Sequence, residues 1–161
     1  MKKQNFLIKL KKEKKLELVG PSVEIQKSYS IKSDNCLRSA KILFDSDLYE
    51  NSVSEAYYAM YNASLSLFFQ CGIKCENHTA TIILLEELFK LSDLKKNLET
   101  AKKERIDKQY HVSDKKNFEI TKDAAKSMIQ GAEDFILNLY AYMGRLSNDD
   151  IGQIRFRFSG F

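Results

Sequence analysis

The chain has 161 residues, 43% of them hydrophobic and 30% charged, with one proline, six glycines and a net charge of +4. That length suits about one domain with a single sizeable core, and the composition excludes a disordered tail, a collagen-like repeat and a mucin-like stalk. So few turn-forming residues argue against an all-β fold and for an all-α one.

Residues 1–20 form a basic arm with seven lysines against Glu13 and Glu17, while the rest of the chain is close to neutral. Such an arm is read as a solvated, solubilising face rather than an RNA or membrane anchor. Its apolar run, Phe6–Ile8, is too short for a signal-peptide core. No run anywhere approaches the roughly 18–20 apolar residues of a membrane-spanning helix. Three cysteines, Cys36, Cys71 and Cys75, make an odd count that suits free thiols in a reducing compartment. A cytoplasmic protein with no membrane association is expected.

Gly20-Pro21-Ser22 separates the arm from a helix expected over about 23–44, with Ser22 as a capping oxygen. The next helix, about 51–71, carries a bulky stripe (Val53, Tyr57, Met60, Tyr61, Leu67, Phe68) and a small one (Ala56, Ala59, Ala63). A helix that can be approached from two sides belongs at the centre of a bundle. Gly72 supplies a left-handed terminus. A third helix is expected over about 79–91 with Asn77 or Thr79 as cap, and a highly charged fourth over about 94–109. After a polar break at 113–117, a long helix runs over about 118–146. The tail, 147–161, ends in Ile154-Arg155-Phe156-Arg157-Phe158, which reads as a short strand or a tail that docks its phenylalanines. Short connections favour antiparallel neighbours. The expected architecture is therefore an up-and-down bundle of four to five helices over 21–146, flanked by the arm and the tail.

One stretch could carry chemistry: Glu104-Arg105-Ile106-Asp107-Lys108-Gln109-Tyr110-His111. Metal-free cleavage of RNA needs a group to accept the 2′-hydroxyl proton and a cation to hold charge developing on phosphorus. Histidine suits the first role and an arginine fork the second. Six residues are about 600° of helix, so Arg105 and His111 do not share a face of one straight helix. They converge only if the helix ends between them, or if two copies contribute across an interface. The bland reading of an arginine and a histidine in a charged helix is surface decoration.

Elsewhere, Cys71-x3-Cys75-x2-His78 offers three soft ligands but no adjacent fourth, short of a structural zinc site. His78 is expected to cap the third helix or to pack against the second. Tyr57, Tyr58 and Tyr61 could stack on bases, but core packing with satisfied hydroxyls is the default on a central helix. No glycine-rich phosphate loop and no acyl-transfer triad occurs, and no metal or cofactor is expected.

The segment Val53-Ser54-Glu55-Ala56-Tyr57-Tyr58-Ala59-Met60-Tyr61-Asn62-Ala63, followed by Gly72-Ile73 and His78, resembles the signature of HEPN-domain proteins. Arg105 and Tyr110 are similar to the Arg-x4-Tyr of the archaeal and bacterial branch, and the likeness covers about 20–142. The resemblance implies a HEPN-like bundle that forms a homodimer. It also implies the toxin of a toxin–antitoxin pair, a metal-independent endoribonuclease with Arg105 and His111 as catalytic residues in a cleft between two copies. RNA is then the substrate, an MNT-type minimal nucleotidyltransferase the antitoxin partner, and Tyr110, Asp107 and Lys108 the residues that bind substrate or are modified. Ile106 stands where active members commonly carry a polar residue. That departure keeps a second reading open: a non-catalytic module that docks the nucleotidyltransferase, a nucleotide, or both.

Overall fold

The computed structural model describes residues 2–110 and 119–161, with side chains described through residue 105 and again from 119. Helix α1 (Lys2–Lys12) leads into strand β1 (Leu16–Leu18), then helices α2 (Val23–Asp45) and α3 (Tyr49–Gln70). Strand β2 (Ile73–Cys75) precedes α4 (His78–Glu87), α5 (Ser92–Tyr110), α6 (Lys122–Arg145) and α7 (Asn148–Ser159). The fold is all-α, with one small antiparallel pair in which Leu16 faces Cys75 and Leu18 faces Ile73.

Helix α3 is the axis. It packs against α2 on one side and α6 on another, with α4 and α5 also touching it, as its two stripes require. Ala56, Ala59 and Ala63 are fully buried, and so are Tyr57, Leu67 and Phe68. The small stripe lets α2 approach closely, and serines stitch the contact. The Ser33 hydroxyl donates to the Ala59 carbonyl at 2.7 Å and the Ser52 hydroxyl to the Ala40 carbonyl at 2.7 Å. Each buried hydroxyl thus has an acceptor, which avoids the roughly 1–3 kcal/mol cost of an unsatisfied one.

Helix ends follow local chemistry. Ser22 caps α2 by accepting from the Ile25 N–H, and Asn77 caps α4 by accepting from the Ala80 N–H. Helix α4 stops at Glu87, four residues short of the expected end, because Lys90 takes a left-handed conformation (φ 62°) and the Leu91 N–H turns back to the Leu85 carbonyl at 2.8 Å. Helix α6 begins at Lys122 under a Thr121 cap, later than the expected 118. The polar break at 113–117 lies outside the described residues.

The tail is a helix rather than a strand, and it does dock Phe158 and Phe161 against the core, while Phe156 stays exposed. Ser147 and Asp150 form a reciprocal capping box, and the four-residue step from Ile154 to Phe158 puts both on one buried face. The alternation of apolar and basic residues had concealed that helical spacing. The arm is likewise folded: its lysines are largely exposed, but Leu7, Leu10 and Leu16 join the core.

Arm and tail meet. Lys11 Nζ donates to the Phe158 and Phe161 carbonyls at 2.7 and 3.0 Å, capping α7 with a cation, and lies 4.3 Å from the Phe158 ring centre. Arg155 Nη1 reaches the carbonyls of Val19, Cys71 and Gly72 at 2.8, 2.9 and 3.0 Å. Gly72, at φ +69°, is obligatory here, because a Cβ would stand 2.1 Å from Arg155 Nη1 and 2.4 Å from the Val19 oxygen.

Candidate functional site

Three elements converge beside the first turn of α4. Helix α3 presents Tyr57, Tyr58 and Tyr61, α4 opens on His78, and α5 brings Lys102 and Arg105 one turn apart. The His78 ring stacks on Tyr61 with centroids 3.9 Å apart and planes 12° from parallel. Its Nδ1 lies 2.6 Å from the Tyr57 hydroxyl.

The Tyr57 hydroxyl and His78 Nδ1 share a hydrogen bond whose direction depends on the imidazole tautomer. Burial raises the Tyr57 hydroxyl well above its usual range and lowers His78 below its own, the latter aided by the charges of Arg105 and Lys102. Both groups are therefore favoured in their neutral forms. Tyr61, under the same desolvation, is pushed up to about 12.

Arg105 lies over the aromatic pair, its guanidinium carbon 4.8 Å from the Tyr57 ring centre and 5.1 Å from that of Tyr58. Its Nη1 donates to the Tyr58 hydroxyl at 2.5 Å. Its Nε is buried and has no hydrogen-bond partner among the described residues. Lys102 Nζ donates to Thr79 Oγ1 at 2.8 Å, and burial together with Arg105 lowers its pKa. The cluster is thus rich in donors and positive charge.

Arg105 is the one expected catalytic residue with a described side chain. Asp107, Lys108 and Tyr110 belong to α5, which continues without a break from Arg105 to Tyr110, but their side chains lie outside the described ones. His111 lies outside the described residues altogether, and with it the Arg105–His111 pairing. The sequence reading missed Lys102, and it gave His78 only a packing or capping role. His78 does pack on α3, while Asn77 does the capping. The signal for the cluster was Tyr57, Tyr58 and Tyr61 at one- and four-residue steps, opposite Lys102 and Arg105 at a three-residue step.

Cys36, Cys71 and Cys75 are free thiols, and the first two are pushed up to about 11 and about 12 by burial. The Cys75 thiol lies 3.5 Å from both the Asn77 carbonyl and the Thr81 hydroxyl. Among the described residues no group of three or more histidine, cysteine, aspartate or glutamate side chains could hold a metal ion. No helix among them is long and apolar enough to cross a membrane.

The chain is 31% identical over 109 residues to a UPF0332 protein of Archaeoglobus fulgidus, covering 65% of this chain and 84% of that one. It is 30% identical over 117 residues to a protein named "Putative toxin" from Methanocaldococcus jannaschii, covering 70% of this chain and 84% of the relative. The HEPN domain profile matches residues 28–139, a span that holds all of α3 and α4, Lys102 and Arg105. The chain belongs to the HEPN domain family.

Proposed function

We propose that this HEPN protein is the toxin of a toxin–antitoxin pair and acts as a metal-independent endoribonuclease in a cleft between two copies of the chain. The observation that carries the reading is Arg105. Its guanidinium is half-buried over two tyrosines, beside Lys102, with its Nε unpartnered among the described residues. Arg105 would hold the scissile phosphate. His111 would accept the 2′-hydroxyl proton as that oxygen attacks phosphorus, and the bond to the 5′-oxygen would break with that oxygen taking a proton from water, giving a 2′,3′-cyclic phosphate end and a 5′-hydroxyl. Asp107, Lys108 and Tyr110, on the same stretch of α5, would contact the strand or carry a modification. The continuous helix from Arg105 to Tyr110 favours the two-copy arrangement, since one chain does not turn back between them. The toxin name of the archaeal relative supports the same reading.

The test is cleavage of single-stranded RNA in EDTA. His111→Ala and Arg105→Met should each lower the rate at least about 100-fold, as loss of a general base or a charge-stabilising donor does. A His111→Ala protein as active as the parent would end the assignment.

A second reading has its own observation: Arg105 is already engaged by the Tyr58 hydroxyl and two ring faces, a structural use of the residue. On that reading the bundle is a non-catalytic module that docks an MNT-type nucleotidyltransferase. Absence of nuclease activity together with co-purification of such a partner would favour it.

A further inference from the structure

The groove between α4 and α5 lies beside the Arg105 cluster and encloses about 420 Å³. Its floor holds Ile82 and Ile83, and its rim carries Lys3, Lys95, Lys102 and Lys103 with Thr79 and one carboxylate, Glu99. Lys3 and Lys95 are tied to acids, the first to Glu86 and Glu87 at 3.3 and 3.2 Å, the second to Glu99 at 2.7 Å. Lys102 and Lys103 make no ion pair among the described residues; Lys102 is held instead by the neutral Thr79 hydroxyl. Because Lys3 binds the last turn of α4 while Thr79 meets Lys102 at its first, the groove runs the length of α4 and ends at Lys102. Arg105 lies one helical turn further on.

We propose that this groove is a track for the phosphate backbone of a single nucleic-acid strand, with Lys102 and Lys103 binding the phosphates next to the one held at Arg105. The identity of the strand as RNA rests on the endoribonuclease reading; the track itself does not. Two arguments support it. Beside the larger effect of burial, Arg105 and Lys102 lower the proton affinity of His78, and Arg105 that of Lys102, a crowding of positive charge that a bound anion relieves. The isoleucine floor gives apolar contact to the sugars between phosphates.

Salt dependence tests the proposal. Binding of a fluorescent 2′-O-methyl RNA strand, which has no free 2′-hydroxyl to attack, is followed by anisotropy between about 50 and 200 mM salt. Each phosphate contact on a single strand contributes a slope of about 0.7 in log affinity against log salt. Lys103→Met should reduce the slope by about 0.7, and Lys102→Met/Lys103→Met by about 1.4, whereas Lys27→Met, at an exposed lysine on α2 away from the groove, leaves it unchanged. Lys103 is exposed, so its single variant keeps the test valid if loss of the Lys102–Thr79 bond perturbs the fold. An unchanged slope in both variants, or no binding by the parent protein, overturns the track. The two proposals fail separately. A parent that cleaves RNA while the lysine variants keep its slope loses only the track; one that binds with the predicted slopes but never cleaves loses only the nuclease.

Discussion

Gly72→Ala is the substitution whose effect the structure specifies most closely. Alanine at φ +69° costs about 1–2 kcal/mol from the left-handed backbone alone. The new Cβ would stand 2.1 Å from Arg155 Nη1, so the guanidinium must leave. It gives up its shared donation to the carbonyls of Val19, Cys71 and Gly72. Charged hydrogen bonds contribute about 1.5–3 kcal/mol each, but one Nη1 has only two protons to divide among three acceptors, so roughly 3 kcal/mol is a fair total for the loss. The sum is about 4 kcal/mol, or roughly 8–16 °C in Tm for a chain of this length. Thermal melts of the parent, Gly72→Ala, Arg155→Met and the double variant form a cycle. Because Arg155 is displaced in the alanine variant, the two changes should be less than additive by at least about 1 kcal/mol. A Gly72→Ala shift below about 3 °C, or full additivity, would refute the reasoning.

Two further outcomes follow from the aromatic cluster. His78 has a lowered pKa in the folded chain, so the unfolded chain binds a proton first as pH falls. Its contribution is fully present above about 6.5, the ordinary histidine value, and is lost as pH drops from there towards the lowered folded value. Urea midpoints across that window should fall more steeply for the parent than for His78→Asn, and parallel curves would contradict the buried neutral imidazole. Tyr58→Phe removes the oxygen that accepts from Arg105 Nη1 and should cost about 1–2 kcal/mol of stability. In the nuclease assay it should also lower kcat more than it raises KM, since it frees the guanidinium to wander. A Tyr58→Phe protein with parental kcat would show that Arg105 needs no such orientation.

The bundle was legible because α2 through α6 announce themselves by local means. The twin stripes of α3, the Ser22 and Asn77 caps and Gly72 are all read within one or two helical turns. What escaped is non-local. Lys11 and the Phe158 carbonyl are 147 residues apart, and strands of three residues are too short to show a period. Arg105 was found by its own stretch of sequence, but its tyrosine and histidine neighbours lie on two other helices, and nothing in a linear pattern joins Lys102 to Thr79. The Asp107–His111 half of the expected site adds no geometry to that comparison.

The clasp between the two ends of the chain also sets an order of events. Helices α2 and α3 are a local hairpin and can form early, as contacts of short sequence separation do. Leu7, Leu10 and Leu16, by contrast, are synthesised long before Cys75, which pairs with Leu16, and before Ile154 and Phe158, which share their core cluster. During that interval the arm is a short apolar segment without a shelter, the condition under which nascent chains self-associate. The lysines crowded around those leucines give any two such nascent copies like charge, which opposes their association until the later helices complete the core.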